Sequence, residues 1–193
     1  EMDAWGVDLV LSGSQKAWMC PPGLVIIAAG ERIWEATAHA AFPRFFWDFS
    51  AARAAASRGG TPTTAPLSLI FALKAACDML DEEGLEQVYR RHHELAEHVR
   101  NGLEALGFRL LAERPYASDT VTAAIPPEGL APAAIITQMR DAYGIEIAGG
   151  QAELAGQIIR VGHMGWVHRP ELDEFLAAVA AVGDEIVTTG RRN

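Results

Sequence analysis

Gly6-Val7-Asp8-Leu9-Val10-Leu11-Ser12-Gly13-Ser14-Gln15-Lys16-Ala17-Trp18-Met19-Cys20-Pro21-Pro22-Gly23-Leu24-Val25-Ile26-Ile27-Ala28 sets an apolar run on either side of a polar one. Residues 7–11 and 24–28 have the length and composition of buried strands, and Pro21-Pro22-Gly23 makes a turn between them. Lys16 therefore sits on a short connection between two core strands. Of the sixteen Lys and Arg residues in the 193-residue chain, only Lys16 and Lys74 are lysines. Arginine stays protonated and serves as a fixed fork of hydrogen-bond donors, whereas an amine can lose its proton and form a Schiff base with a carbonyl. Lys16 reads as a chemical residue, although its position alone fits a solvated loop lysine equally well.

The pattern outward from this loop alternates. Residues 44–49 are expected to form a strand, with Phe45, Trp47 and Phe49 on one face, and the aromatics from Phe42 to Phe49 are expected to lie in the core. Gly59-Gly60-Thr61-Pro62 breaks the chain, and Pro66 can open a helix with Ile70, Leu73, Cys77 and Leu80 at helical spacing. A second helix follows, with Leu95, Val99, Leu103 and Leu106 as its buried stripe, ending at Gly107. Beyond it come strands at 108–111 and 120–126, a helix at 132–143, strands at 145–148 and 157–163, and a last helix at 170–187 opened by Pro170. Such an order, without a helical crossover between every strand pair, predicts an α+β domain with a largely antiparallel sheet after a boundary near residues 60–85.

Composition narrows the partners. A formal charge of −9 and a pI near 5.1 argue against nucleic acid or an anionic membrane as the main partner, since both need a concentrated basic face. Arg90-Arg91-His92-His93 is the nearest approach to one, and with Glu86, Glu94 and Glu97 interspersed it reads as a solvated helix face. Cys20 and Cys77 form no disulfide framework and fit a reducing, cytoplasmic compartment. No apolar run approaches the ~20 residues of a membrane helix. His163 and His168 lack partners at metal-ligand spacing, so no metal is expected.

Two further residues stand out on chemical grounds. Arg160 lies within Ile158-Ile159-Arg160-Val161-Gly162, where a guanidinium is costly unless paired, and its planar fork suits a carboxylate. The partner could be a substrate carboxylate or an internal one such as Glu146 or Glu153. Thr64 in Thr64-Ala65-Pro66 stands just before a helix start, where it could cap the helix or serve an anion. Gly149-Gly150 reads as a turn, flexible enough to close over a substrate or simply a hairpin. Ser12 and Ser14 could contact a phosphate or satisfy the turn's own backbone.

Asp3-Ala4-Trp5-Gly6-Val7-Asp8, Ser12-Gly13-Ser14-Gln15-Lys16-Ala17 and Pro21-Pro22-Gly23 together resemble the pyridoxal-phosphate lysine motif of class V aminotransferases, the alanine–glyoxylate and serine–glyoxylate group in particular. The resemblance continues through Thr61-Pro62-Thr63-Thr64-Ala65-Pro66, Glu83-Gly84-Leu85-Glu86 with Arg91-His92, and Ile159-Arg160-Val161-Gly162-His163-Met164-Gly165. It implies an α/β fold, the C-terminal half of a type I pyridoxal-phosphate transferase. Residues 1–64 would end the large cofactor-binding domain, 65–84 would connect, and 85–193 would form the small α+β domain. The Gly-rich phosphate loop, the stacking aromatic residue and the acidic partner of the pyridine nitrogen would all precede residue 1, so the chain is expected to be part of a longer protein and inactive in isolation.

The resemblance also implies roles. Lys16 would hold the cofactor and carry the proton, Gln15 would bond its phosphate, and Thr64 would reach the partner subunit's phosphate in a homodimer with shared active sites. Arg160 would bind the substrate carboxylate. Thr61 stands where some relatives carry an aromatic phosphate ligand, and its short hydroxyl departs from them. The implied reaction is transamination of a small α-amino acid, alanine or serine, with a 2-oxo acid, glyoxylate or pyruvate, as acceptor. A cysteine desulfurase is the enzymatic alternative, weakened because Cys20 is too near the lysine and Cys77 lies on a predicted buried stripe. A non-catalytic fragment that only dimerises is the other.

Overall fold

The two apolar runs flanking Lys16 pair as an antiparallel hairpin, β1 (Leu9–Gly13) and β2 (Val25–Ala29), with Leu9 opposite Ala29 and Gly13 opposite Val25. This is seen in a computed structural model of the chain, which describes residues 1–190 and divides into two units, Glu1–Glu82 and the residues from Glu83 onward. In the first unit the hairpin is followed by α1 (Glu31–His39), α2 (Phe49–Ala56) and α3 (Leu67–Glu83).

The strand expected at 44–49 does not form. Arg44 donates to the carbonyls of Thr37 and Ala40 at 3.0 Å each and closes the end of α1. Four residues later the Asp48 carboxylate accepts from Ala51 N at 2.9 Å and opens α2, so the aromatic run is the connection between two helix caps. Its alternation, only a few residues long, is outweighed by capping chemistry at both ends. The aromatics expected in the core are correspondingly exposed, Phe42 by 89% and Phe45 by 90%, while Phe49 is half-buried against Trp34 with ring centroids 6.1 Å apart. The stripe expected on α3 is also only partly buried: Leu73, Cys77 and Leu80 are half-buried, Ile70 is exposed, and Ala76 is the residue the helix buries fully.

The second unit follows the predicted order closely. It comprises α4 (Leu85–Ala105), β3 (Arg109–Leu110), β4 (Val121–Ile125), α5 (Pro132–Tyr143), β5 (Ala148–Gly149), β6 (Ile159–Gly162) and α6 (Arg169–Gly190). The strands form one antiparallel sheet in the order β3-β4-β6-β5. Proline at the first turn starts α5, and Gly144 in the left-handed conformation, φ 66°, ends it. Thr122 and Ala124 of β4, with Ile159 and Val161 of β6, are buried, whereas Ala123 and Arg160 face the other way. Leu103, Val99, Ile135, Met139, Phe175 and Val182 complete a continuous core over the buried face. Each such side chain contributes about 1.5–3 kcal/mol by leaving water. Among the described residues no helix is long and apolar enough to cross a membrane.

His163 follows β6 and is fully buried. Its Nε2 lies 2.8 Å from Thr122 Oγ1 and its Nδ1 3.1 Å from the Asp119 carbonyl, an arrangement in which a neutral ring donates from Nδ1 and accepts at Nε2. Desolvation pushes its pKa down to about 4, with the nearby Arg100 and His92 acting in the same direction. The unfolded chain, near the ordinary 6.5, then binds more protons than the folded one between these values, so stability is lost as pH falls from about 6.5 to about 4. Urea unfolding followed across that window should show this group contributing on the order of 3 kcal/mol of pH dependence. His163→Gln should flatten the slope there, and an unchanged slope would mean that the imidazole is not what acid attacks.

Candidate functional site

Lys16 lies in the connection between β1 and β2, and the geometry of that connection is set by Ser14. Ser14 is fully buried, its N–H donates to the Leu24 carbonyl at 3.1 Å, and its carbonyl accepts from Cys20 N at 3.0 Å. Its hydroxyl donates to the Pro21 carbonyl at 2.7 Å and accepts from Leu24 N at 3.2 Å. Ser14 therefore satisfies the turn, the second of the two roles open to it, and its hydroxyl proton is already in use. Trp18 Nε1 donates to Ser12 Oγ at 2.8 Å, and Met19 N to the Lys16 carbonyl at 3.0 Å. Met19 itself has φ 58°, a left-handed value that a side chain rarely adopts and that these bonds hold. Lys16 and Gln15 are exposed at the tip, and Lys16 has no acidic partner among the described residues. Gln15 folds back over Gly13, where an added Cβ would come within 2.6 Å of Gln15 Oε1.

Thr61 and Thr64 lie in the same unit, in the exposed segment before α3. The Thr61 hydroxyl donates to the Thr63 carbonyl at 2.6 Å, whereas that of Thr64 has no partner among the described residues. Helix α3 starts from the Pro66 carbonyl, which accepts from Leu69 and Ile70, so Thr64 does not cap it.

Arg160 belongs to the second unit. On β6 it stands opposite Ala123 of β4 and Ala148 of β5, and these two small neighbours leave the guanidinium room on the open face. Its Nε donates to the Gly149 carbonyl at 2.7 Å, and among the described residues neither Glu146 nor Glu153 pairs with it. A cavity of about 310 Å³ adjoins it, lined also by Tyr116, Ser118, Thr122, Ala123 and Arg100. Arg100 is neutralised by Glu97 and Asp119, and it holds the Glu97 carboxyl below the usual carboxylate range. The fork of Arg160 is thus the unmatched cation beside that cavity, suited to a small carboxylate.

One arrangement escaped the sequence reading. Arg91 and His92 are not a solvated face, although Arg90 and His93 are exposed. Arg91 holds Glu83 through two nitrogens at 2.6 and 2.9 Å, which keeps the Glu83 carboxyl below its usual range, and donates to the carbonyls of Gly165 and Val167. Buried His92 bonds the Val88 carbonyl through Nδ1 at 2.7 Å and accepts from Gly165 N at Nε2. Together they fix the segment that follows β6. The signal was available, because His92 extends the stripe Val88, Leu95, Val99 and Leu103 at helical spacing.

Gly149 and Gly150 are not an open flexible turn either. A Cβ at Gly150 would fall 1.9 Å from the Leu154 carbonyl oxygen, and at Gly149 only 3.3 Å from the end of the Ile136 side chain. Gly150→Ala should lower stability by about 1–3 kcal/mol and disturb the turn next to Arg160, while Gly149→Ala should cost less than about 1 kcal/mol. Thermal melting of the two variants distinguishes them, and equal melting temperatures would contradict the packing described.

The family model described as Aminotransferase class-V matches residues 1–166. The chain is 40% identical to the L-aspartate–glyoxylate aminotransferase of Paracoccus denitrificans over 85% of its own length and 42% of that protein. It is also 40% identical to the soluble hydrogenase small subunit of a Synechococcus strain, over 100% of this chain and 49% of that one. The crystal structure of alanine–glyoxylate aminotransferase from Nostoc superimposes with a TM-score of 0.88 at 33% identity, covering 94% of this chain and 49% of the other. The chain thus spans about half the length of the relatives it matches.

Proposed function

The chain belongs to the class-V aminotransferases, and on that footing we propose that it carries the lysine and the carboxylate-binding arginine of a pyridoxal-phosphate-dependent aminotransferase. The donor is a small α-amino acid, alanine or serine, and the acceptor is glyoxylate or pyruvate. Glyoxylate appears in the names of the Paracoccus and Nostoc relatives, which favours it. The observation that carries the reading is Lys16: an exposed amine, without an acidic partner among the described residues, on a loop fixed by other side chains.

The donor set fits pyridoxal phosphate. Lys16 offers an amine for its aldehyde, and Gln15 and Thr64 offer exposed neutral groups for phosphate oxygens. Thr61 would join them only by giving up its bond to Thr63. When bound, pyridoxal phosphate supplies an aldehyde for amines and a ring that accepts the electron pair left at the substrate α-carbon. Lys16 Nζ holds the cofactor and moves the proton at that carbon, which one amine can do because it stays beside the atom it deprotonates. Arg160 orients the substrate by taking its carboxylate on the fork left free by Gly149. Thr64 serves the phosphate of a second copy in a homodimer, residues 1–64, 65–84 and 85–193 act as large-domain part, connector and small domain, and the protein works in the cytoplasm.

Two measurements test this on protein made from the complete gene. Borohydride reduction in the presence of pyridoxal phosphate should place the label on the Lys16 peptide. Lys74 is the internal control, since its Nζ is engaged by Asp78 at 2.5 Å, and a label there would end the reading. Arg160→Lys should lower kcat/KM for the amino acid by about ten- to a hundredfold, roughly 1.5–3 kcal/mol, with cofactor uptake intact. Loss of cofactor uptake or a collapse in melting temperature would make Arg160 structural.

A further inference from the structure

We propose that Ser14 is a positioning residue for Lys16, acting through the backbone of the loop and never through the cofactor. The inference rests on the reading of Lys16 as the residue that takes up pyridoxal phosphate. Every polar atom of Ser14 is bound to the far side of the loop: N–H to Leu24, carbonyl to Cys20, and hydroxyl to both Pro21 and Leu24. Pro21 and Pro22 have no N–H, so this stretch cannot close by the usual backbone ladder. The hydroxyl stands in for the missing bonds, donating to the Pro21 carbonyl and accepting from the Leu24 N–H, two residues after the prolines.

A second bracket lies closer to the lysine. Ser12 accepts from Trp18 Nε1, so the chain is tied from two residues after Lys16 to four before it. The Met19 N–H on the Lys16 carbonyl and the left-handed Met19 complete a tight turn. With the backbone on both sides of Lys16 fixed in this way, the lysine side chain leaves the loop from one place and in one direction. A nucleophile displaced by about 1 Å can lose on the order of a hundredfold in rate, so a bracket of this kind has a catalytic consequence.

The test is Ser14→Ala in protein made from the complete gene. Without cofactor, hydrogen exchange at the Leu24 amide should become faster, because its acceptor is gone. With cofactor, borohydride labelling of Lys16 should require about ten times more pyridoxal phosphate, and kcat should fall about ten- to a hundredfold. KM for the amino donor should stay within about twofold, since the donor is held by Arg160 in the other unit. Ser12→Ala should give a weaker version of the same split and carries the test if Ser14→Ala does not fold. Unchanged Leu24 exchange would show that the bracket is absent. Faster exchange with normal labelling and kcat would make it purely local, and either result overturns the proposal. Failure of the wild-type protein to take any label at Lys16 is a separate outcome, which overturns the function and this inference together.

Discussion

Burial of Ile159 and Val161 on either side of Arg160 is the constraint on which the second unit depends. A strand has two faces and a period of two, so placing its aliphatic residues against α4, α5 and α6 forces the arginine to the opposite face. The same register matches Thr122 to Val161 and Ala124 to Ile159, and leaves Ala123 and Ala148 beside the guanidinium. A slip of one residue would bury the cation and expose the core. Core packing and the presentation of a charged fork are therefore one requirement, met by one pairing register.

The end of that strand is held with equal care. A helix carrying Arg91 and His92 grips the Gly165 peptide from both sides, its carbonyl through the guanidinium and its N–H through the imidazole. Glu83 orients the arginine and Val88 fixes the imidazole tautomer, so each clamp is itself clamped. In the first unit the corresponding work falls to a serine, because two consecutive prolines remove the donors a turn would otherwise use.

Sequence legibility followed the strength of periodic signals. The second unit was readable nearly element by element, since α4 has a long amphipathic stripe that ends at Gly107 and α5 has a proline start and a glycine stop. The class V motifs also pointed to the family, which the matches over residues 1–166 bear out. The run from Phe42 to Phe49 misled, because aromatic alternation over a few residues resembles a strand, and the caps supplied by Arg44 and Asp48 give no periodic signal. Arg91 and His92 were hidden for a different reason. Charge in a helix reads as solvent-facing, and only a contact more than seventy positions away in sequence reveals the partner.

Arg44 has one more implication. Its guanidinium is bonded to the last carbonyls of α1, and it also approaches the Asp48 carboxylate that opens α2, at 3.7 Å. The end of one helix and the start of the next therefore share a single side chain. The two helices, nine and eight residues long and each marginal alone, are thereby coupled through one guanidinium, so that losing it would loosen the end of the first and the start of the second together.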